Sequence, residues 1–198
     1  MFRRSAALVA CLFLFALVPA ARATVMVEIP LEDMIADAPA IVHGVVVRSG
    51  TQMIMQRGSL QPHTVTELRV TRWLKGGGGS TVTIRELGGT WQGGGTWIDG
   101  TPRYGPREEV VVFLRPDPLS SSFYRTYGMV QGKFIVLRGA PGVPTSVRRD
   151  LEAISFAHWA NGRMTVAAAP AHPPAMAMDS FLAFVDGVLG SITSLEGR

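Results

Sequence analysis

Three side chains lie where they could act together in hydrolysis or in metal binding. His43 and His63 fall on or beside two neighbouring predicted strands, and Glu67 follows on the second of them. Two imidazoles and a carboxylate are the right groups for general acid–base chemistry or for holding a metal ion. Their spacing matches no short-range ligand motif. A hydrolase that uses these three residues is therefore an alternative, and the prediction for His43 is a strand residue whose ring nitrogen is hydrogen-bonded.

The other catalytic signatures are incomplete. Glu108 and Glu109 are adjacent, and adjacent strand residues point to opposite faces, so the two carboxylates cannot act on one substrate bond. The sequence has no Gly-x-Ser-x-Gly elbow of a serine hydrolase. The glycines at 76–79 precede a predicted strand, whereas a phosphate-binding loop ends in Gly-Lys-Ser/Thr and opens a helix. We predict a protein with no catalytic residue, no metal site and no cofactor.

The residues best suited to contact another molecule lie in a glycine-rich segment, residues 88–107. This segment carries Trp91, Trp97 and Tyr104 together with Arg103. Aromatic side chains on a surface loop offer a large contact area at low entropic cost, which favours a protein or carbohydrate partner. The alternative is that the loop folds back and the rings cap one end of the fold.

Short strands separated by turn residues must position this loop. The sequence predicts a helix at residues 30–38, followed by five or six strands. The strands are expected at residues 40–48, 64–74, 81–87 and 109–115, with a final hairpin formed by 123–130 and 133–138. Residues 141–177 are expected to be irregular and to end in an Ala/Pro linker. A last helix after Ser180 is expected to pack its apolar side against the strands.

The first 23 residues predict export and account for most of the net charge. The net charge is +4, but Arg3, Arg4 and Arg22 lie in the acid-free residues 1–23, which leaves 16 basic against 15 acidic residues in the remainder. This balance gives no basis for nucleic-acid binding. Residues 1–23 have the charged start, the apolar run and the Ala-Arg-Ala end of a signal peptide, so we expect a periplasmic or extracellular protein without a stable membrane anchor after cleavage. Cys11 is the only cysteine, so the mature chain would contain no disulfide.

The strand pattern resembles the netrin-like OB-fold modules, which include the inhibitory domain of tissue inhibitors of metalloproteinases. The resemblance lies in IVHGVVV (41–47), TELRVTRWLKG (66–76) and REEVVVFL (107–114). It is closer to uncharacterised secreted bacterial proteins that share the glycine-rich loop, the Gly-Thr-Pro at 100–102 and the Gln-Gly-Lys-Phe at 131–134. Those inhibitors hold the target's zinc through an N-terminal cysteine. The predicted mature chain begins at Thr24 and has no cysteine, so that mechanism does not carry over.

These observations predict a mainly β protein. They divide it into a signal peptide (1–23), an OB-like barrel of five or six strands with a short N-terminal helix (24–140), an irregular segment and linker (141–177), and a peripheral C-terminal helix with its tail (178–198). The function they favour is a non-catalytic binding or inhibitor-like module that acts through residues 88–107. A structural accessory protein of the cell envelope is the remaining alternative.

Overall fold

The computed structural model describes residues 24–56, 58–152, 154–160 and 162–196, and this part of the chain is mainly β. The predicted signal peptide, residues 1–23, lies outside the described residues. The described strands are β1 (Thr24–Val27), β2 (Ala40–Gln56), β3 (Ser59–Lys75), β4 (Thr81–Leu87), β5 (Gly89–Trp91), β6 (Gly94–Thr96), β7 (Glu109–Asp117), β8 (Ser120–Thr126), β9 (Lys133–Leu137), β10 (Ser146–Arg149), β11 (Ile154–Ala160), β12 (Arg163–Ala168) and β13 (Met176–Ala177). The helices are α1 (Leu31–Asp37) and α2 (Met178–Glu196), and a 3₁₀ turn covers Met129–Gly132.

The main sheet has eight strands, and its hydrogen bonding closes on itself. The strand order is β13-β10-β9-β7-β2-β3-β4-β8, and β8 also pairs with β7. The strands β7, β2, β3, β4 and β8 therefore form a ring. Its last step, from β4 to β8, is parallel and rests on the single register pair Ile84↔Tyr124. The predicted mainly β class is confirmed, and the observed sheet is larger than the five or six strands expected.

Strand β7 is buried on both faces, which explains its unbroken apolar sequence. Val110, Val112 and Leu114 point into the interior of the ring, where they pack against side chains of β2, β3 and β4. Val111 and Phe113 point to the opposite face and join a second core under the two helices. The period of two along a strand thus divides one hydrophobic run between two separate cores.

Both helices cover the outer face of the ring. In α1, Met34 and Ile35 have no exposed surface, as the predicted N-terminal helix requires. In α2, Phe181 and Val185 are fully buried, and the Phe181 ring lies 5.0 Å from that of Phe134. The expectation that the C-terminal helix packs against the strands is therefore confirmed. Among the described residues, α2 is also the one helix that is long and apolar enough to cross a membrane, judged by length and composition alone.

The structure corrects the prediction for residues 141–177. This stretch contains β10, β11, β12 and β13, of which β11 and β12 form a second sheet with β1. Strand β12 is exposed along its whole length, so no alternation of buried and exposed residues marks it in the sequence. Its conformation follows from antiparallel pairing with β11, and pairing with a neighbour leaves no pattern in a strand's own residues.

The predicted hairpin of residues 123–130 and 133–138 is also wrong. Strands β8 and β9 do not pair with each other, and each pairs instead with a different part of β7. The 3₁₀ turn Met129–Gly132 lies between them and separates the two strands. A Cβ on Gly132 would lie only 1.9 Å from the Tyr127 carbonyl oxygen, so this position of the turn accepts only glycine.

Candidate binding site

The glycine-rich loop begins with a small hairpin formed by β5 and β6. Its turn residues Gln92 and Gly93 have φ values of 47° and 79°, the left-handed conformation that favours tight two-residue hairpins. The hairpin is attached to β2, because the Thr90 backbone NH donates to Thr51 Oγ1 at 3.0 Å. A Cβ on Gly89 would lie 2.5 Å from the same oxygen, so glycine is needed for this close approach.

The two loop tryptophans are presented to solvent. Trp91 is 47% exposed and Trp97 is 48% exposed, so neither ring closes the end of the ring of strands. The Trp97 ring is held by the Arg103 guanidinium, whose central carbon lies 4.2 Å from the ring centroid. A cation–π contact of this kind orients both side chains before any partner arrives. Three of the four residues proposed from the sequence, Trp91, Trp97 and Arg103, are thus exposed, and two of them, Trp97 and Arg103, are in contact.

Tyr104 is the exception, because the structure places it in the core. Its side chain is 6% exposed, and its hydroxyl is 2.6 Å from Thr126 Oγ1. The ring packs among the residues inside the ring of strands. Burial raises the pKa of Tyr104 well above its usual value. The prediction that Tyr104 contacts a partner is therefore wrong, and the capping role considered for all three rings applies to this one.

The end of the loop is fixed by a buried lysine. Lys133 on β9 donates to both carboxylate oxygens of Glu108 at 2.8 Å and to the Arg103 carbonyl oxygen. Glu108 in turn accepts a hydrogen bond from the Gly105 backbone NH at 2.9 Å. This arrangement anchors the backbone on both sides of Tyr104. The Arg103 side chain that contacts Trp97 is therefore attached to an anchored segment of backbone.

A cavity of about 310 Å³ lies beside this loop. Its lining carries charges of both signs, from Asp99, Arg103, Lys133, Asp150 and Glu152. Because Lys133 is already paired with Glu108, which does not line the cavity, the carboxylates of Asp99, Asp150 and Glu152 outnumber the Arg103 charge there. The cavity adjoins Trp97, since Arg103 both lines the cavity and contacts the Trp97 ring.

The three residues of the alternative hydrolase are far apart. His43 of β2 is paired with Arg72 of β3, whereas His63 of β3 is paired with Gln52 of β2. The two histidines are therefore about nine residues apart along the paired strands, a distance of roughly 30 Å. Glu67 is bonded to Arg48 at 2.7 Å. His63 is fully buried, with Nδ1 placed 3.1 Å from the Gln61 carbonyl oxygen. These residues cannot reach one substrate bond, so the hydrolase built on them is wrong.

The structure instead joins His43 to a carboxylate that sequence reasoning did not connect with it. His43 Nε2 is 2.8 Å from Glu109 Oε1, and Arg138 binds both oxygens of that carboxylate at 2.7 and 2.8 Å. Burial alone would raise the pKa of Glu109, but hydrogen bonds from Arg138 and His43 outweigh it and lower the pKa. The prediction that a ring nitrogen of His43 is hydrogen-bonded is confirmed. The prediction that the side chains of Glu108 and Glu109 point in opposite directions is also confirmed. Pairing of β2 with β7 creates the contact, so only the strand register could have revealed it.

A buried carboxylate next to Tyr104 gives a testable consequence. Glu86 Oε1 accepts the Thr126 backbone NH at 2.7 Å, and burial raises the pKa of Glu86 more than this bond and the Arg125 charge lower it. A raised folded-state pKa means that the charged form costs stability, so stability falls as the pH rises above the usual value of 4.5. We expect Glu86→Gln, which keeps the acceptor oxygen, to raise the free energy of unfolding at pH 8 by about 1 kcal/mol. Urea denaturation measures the change.

The same comparison at pH 4 is the control. Both side chains are neutral there, so wild type and Glu86→Gln should unfold at nearly the same urea concentration. A variant that is less stable than wild type at pH 8 would contradict the inferred cost of the buried charge.

The comparisons with known proteins identify no relative. A scan against protein-family models found no family that matches the chain. A search of curated proteins found no similar protein, and a search of solved structures found no similar structure. Across the described residues, no group of three or more His, Cys, Asp and Glu side chains could hold a metal ion. The function of the chain must therefore be inferred from its own geometry.

Proposed function

We propose that the chain is an exported binding module that contacts a partner protein through Trp91, Trp97 and Arg103. The observation that carries the proposal is the exposure of two large rings, each close to half, on a hairpin built mainly of glycine and threonine. Tryptophan and arginine dominate the binding energy of protein interfaces, and glycine neighbours leave such rings accessible.

Preorganisation supports a recognition role for this loop. Trp97 is stacked on Arg103, and the Arg103 backbone is bonded to Lys133. A surface that is already ordered loses less conformational entropy on binding, so its contacts give more affinity. A partner protein also fits better than a sugar, because the Arg103 guanidinium already covers one face of the Trp97 ring.

The ring of strands supports an OB-like arrangement. Strands β2, β3 and β4 follow one another in antiparallel order, and β8 returns to pair with both β4 and β7. An OB-fold is a five-stranded, partly open barrel whose faces and loops carry binding sites. In the proposed arrangement, the glycine-rich loop follows β4 and precedes β7. A netrin-like origin and an inhibitor-like role remain part of this proposal, with residues 1–23 as the export signal.

The proposal predicts that binding and stability separate. The double variant Trp91→Ala/Trp97→Ala should lose at least about tenfold in affinity for the partner, the loss expected when central aromatic contacts are removed. Its melting temperature should change by less than about 3 °C, because half-exposed rings contribute little burial. The measurement is quantitative capture from an envelope fraction of the source organism, followed by a titration with the purified captured protein. A glycan array is run in parallel.

Trp159 provides the matched control, since this tryptophan of β11 is 73% exposed and lies outside the loop. Trp159→Ala should retain full binding. Equal losses in Trp159→Ala and in the loop variant, or a melting temperature that collapses in the loop variant, would contradict the proposal. Binding that is confined to the glycan array would replace the protein partner with a carbohydrate.

A further inference from the structure

A second cavity, separate from the loop, lies between the two sheets. Its volume is about 320 Å³, and its walls come from β9, β10, the inner face of β11 and β12, and the proline-rich connection before β13. Phe134, Phe156 and Phe181 line it together with small residues of β12 and three prolines. The Ala/Pro segment that the sequence presents as a linker is therefore one wall of a cavity.

An arginine without a carboxylate partner borders this apolar space. The Arg149 guanidinium lies 4.8 Å from the centroid of the Phe134 ring. Within the described part of the chain, no hydrogen bond or ion pair within 4.0 Å involves this guanidinium. Burial lowers the pKa of Arg149, and the exposed Glu28 carboxylate opposes the shift without contacting it. The Arg149 donors are therefore left to water, and a carboxylate that replaced this water would form charge-assisted hydrogen bonds with them.

The strand register explains why Arg149 is the arginine that faces this cavity. Arg149 of β10 is paired with Phe134 of β9, and both residues line the cavity. Adjacent strand residues point to opposite faces, so the side chain of Arg148 is directed away from that face. Glu28 is the single acidic residue in the lining, and it is exposed. The cavity thus combines an aromatic interior with an arginine that has no carboxylate partner in the described part of the chain.

We infer that this cavity binds a small amphiphilic carboxylate, with its hydrocarbon chain on the phenylalanines and its carboxylate on Arg149. Arginine is suited to this task because its planar fork of donors matches a carboxylate. The volume sets the length of the ligand. A cavity of about 150 Å³ accepts benzene, so one of about 320 Å³ accepts a chain of roughly eight to ten carbons. The site is independent of the loop tryptophans.

The test uses decanoate as the probe, with decanol and acetate as matched compounds that lack the charge and the chain respectively. Isothermal titration of the whole mature protein should give a dissociation constant for decanoate on the order of 10–100 µM. Acetate should not bind measurably, and decanol should bind at least about tenfold more weakly than decanoate. Arg149→Gln should reduce decanoate affinity to that of decanol. Equal affinities of wild type for decanoate and decanol, or no binding of decanoate, would overturn the inference.

Two further variants keep the outcome interpretable. Ala167→Phe fills the cavity from β12 without removing a charge, and it should abolish decanoate binding even if Arg149→Gln fails to fold. Arg163→Gln removes an exposed arginine of β12 that does not line the cavity. This variant should bind decanoate as wild type does. The loop variant Trp91→Ala/Trp97→Ala should also bind decanoate normally, so failure of one proposal leaves the other intact. Equal losses in Arg163→Gln and Arg149→Gln would show a nonspecific charge effect and would overturn the site.

Discussion

Replacing Asp117 with alanine is expected to lower the free energy of unfolding by about 3–5 kcal/mol. The Asp117 side chain has no exposed surface. It accepts hydrogen bonds from both Nε and Nη2 of Arg85, from Arg125 Nε at 2.8 Å and from the Leu119 backbone NH at 2.7 Å. Removing the carboxylate leaves the Arg85 guanidinium, which is only 5% exposed, as an uncompensated buried charge. That penalty, rather than the lost attraction, dominates the expected change.

The position of Asp117 in the fold makes the effect global. Arg85 belongs to β4, Asp117 ends β7 and Arg125 belongs to β8. These are the strands that meet at the closing step of the ring, where β4 and β8 share one register pair. The ion cluster therefore compensates for a short stretch of backbone pairing. Loss of the cluster should lower stability cooperatively, with a single transition in both far-UV and near-UV circular dichroism.

The pH dependence gives an independent signature of the same prediction. Burial alone would raise the pKa of Asp117, but hydrogen bonds from Arg85, Arg125 and Leu119 lower it to about 2. A depressed folded-state pKa means that the stabilisation is complete above the unfolded value of about 4 and is lost as the pH falls towards 2. The stability difference between wild type and Asp117→Ala should thus be constant from pH 7 to pH 5. It should shrink between pH 4 and pH 2.

A surface ion pair is the matched control. Arg48 Nε lies 2.7 Å from Glu67 Oε2, but Arg48 is 80% exposed, so Glu67→Ala should cost less than about 1 kcal/mol. Denaturation in urea at several pH values measures both variants. A cost below about 1 kcal/mol for Asp117→Ala, or no change in the difference below pH 4, would contradict the role assigned to the buried cluster.

The sequence predicted the elements whose burial pattern is regular. The alternation in β3 and β4, the unbroken run of β7 and the apolar side of α2 each reflect a face that is buried in the structure. Strand β12 has no buried residue, and β1 is four residues long, so their conformations depend on partners distant in the chain. Patterns within a segment report on burial, whereas pairing between segments depends on the whole fold.

The candidate binding residues show the same division. Trp91, Trp97 and Tyr104 are similar in type and lie within one glycine-rich segment, yet only Tyr104 is buried. What distinguishes it is Thr126, 22 residues further along the chain, which bonds the Tyr104 hydroxyl inside the ring. The partner of His43 is likewise 66 residues away. Residue types therefore indicated which side chains can do chemistry, but long-range contacts decide which of them are available to a partner.

Gly44 is the other position where a single substitution should be severe, and Gly44→Ala is expected to lower the free energy of unfolding by about 2–3 kcal/mol. A Cβ at this position would lie 2.6 Å from the Arg69 carbonyl oxygen and 3.5 Å from the Val70 Cα. Both are backbone atoms of β3, so no side-chain rotation can relieve the contact. The pairing of β2 with β3 also shifts register between His43 and Gly44, which is where the two strands bend together to form the ring.

Gly50 in the same strand isolates this effect from the general cost of changing glycine. A Cβ on Gly50 would meet no atom within 4 Å, so Gly50→Ala should leave stability unchanged or raise it by about 0.5 kcal/mol. Thermal and urea denaturation of the two variants compares identical chemical changes on one strand. Equal stability of the two would mean that β2 and β3 can separate at Gly44 without cost. If only Gly44→Ala loses stability, the close approach of the β2 and β3 backbones explains why β2 has a glycine at this position.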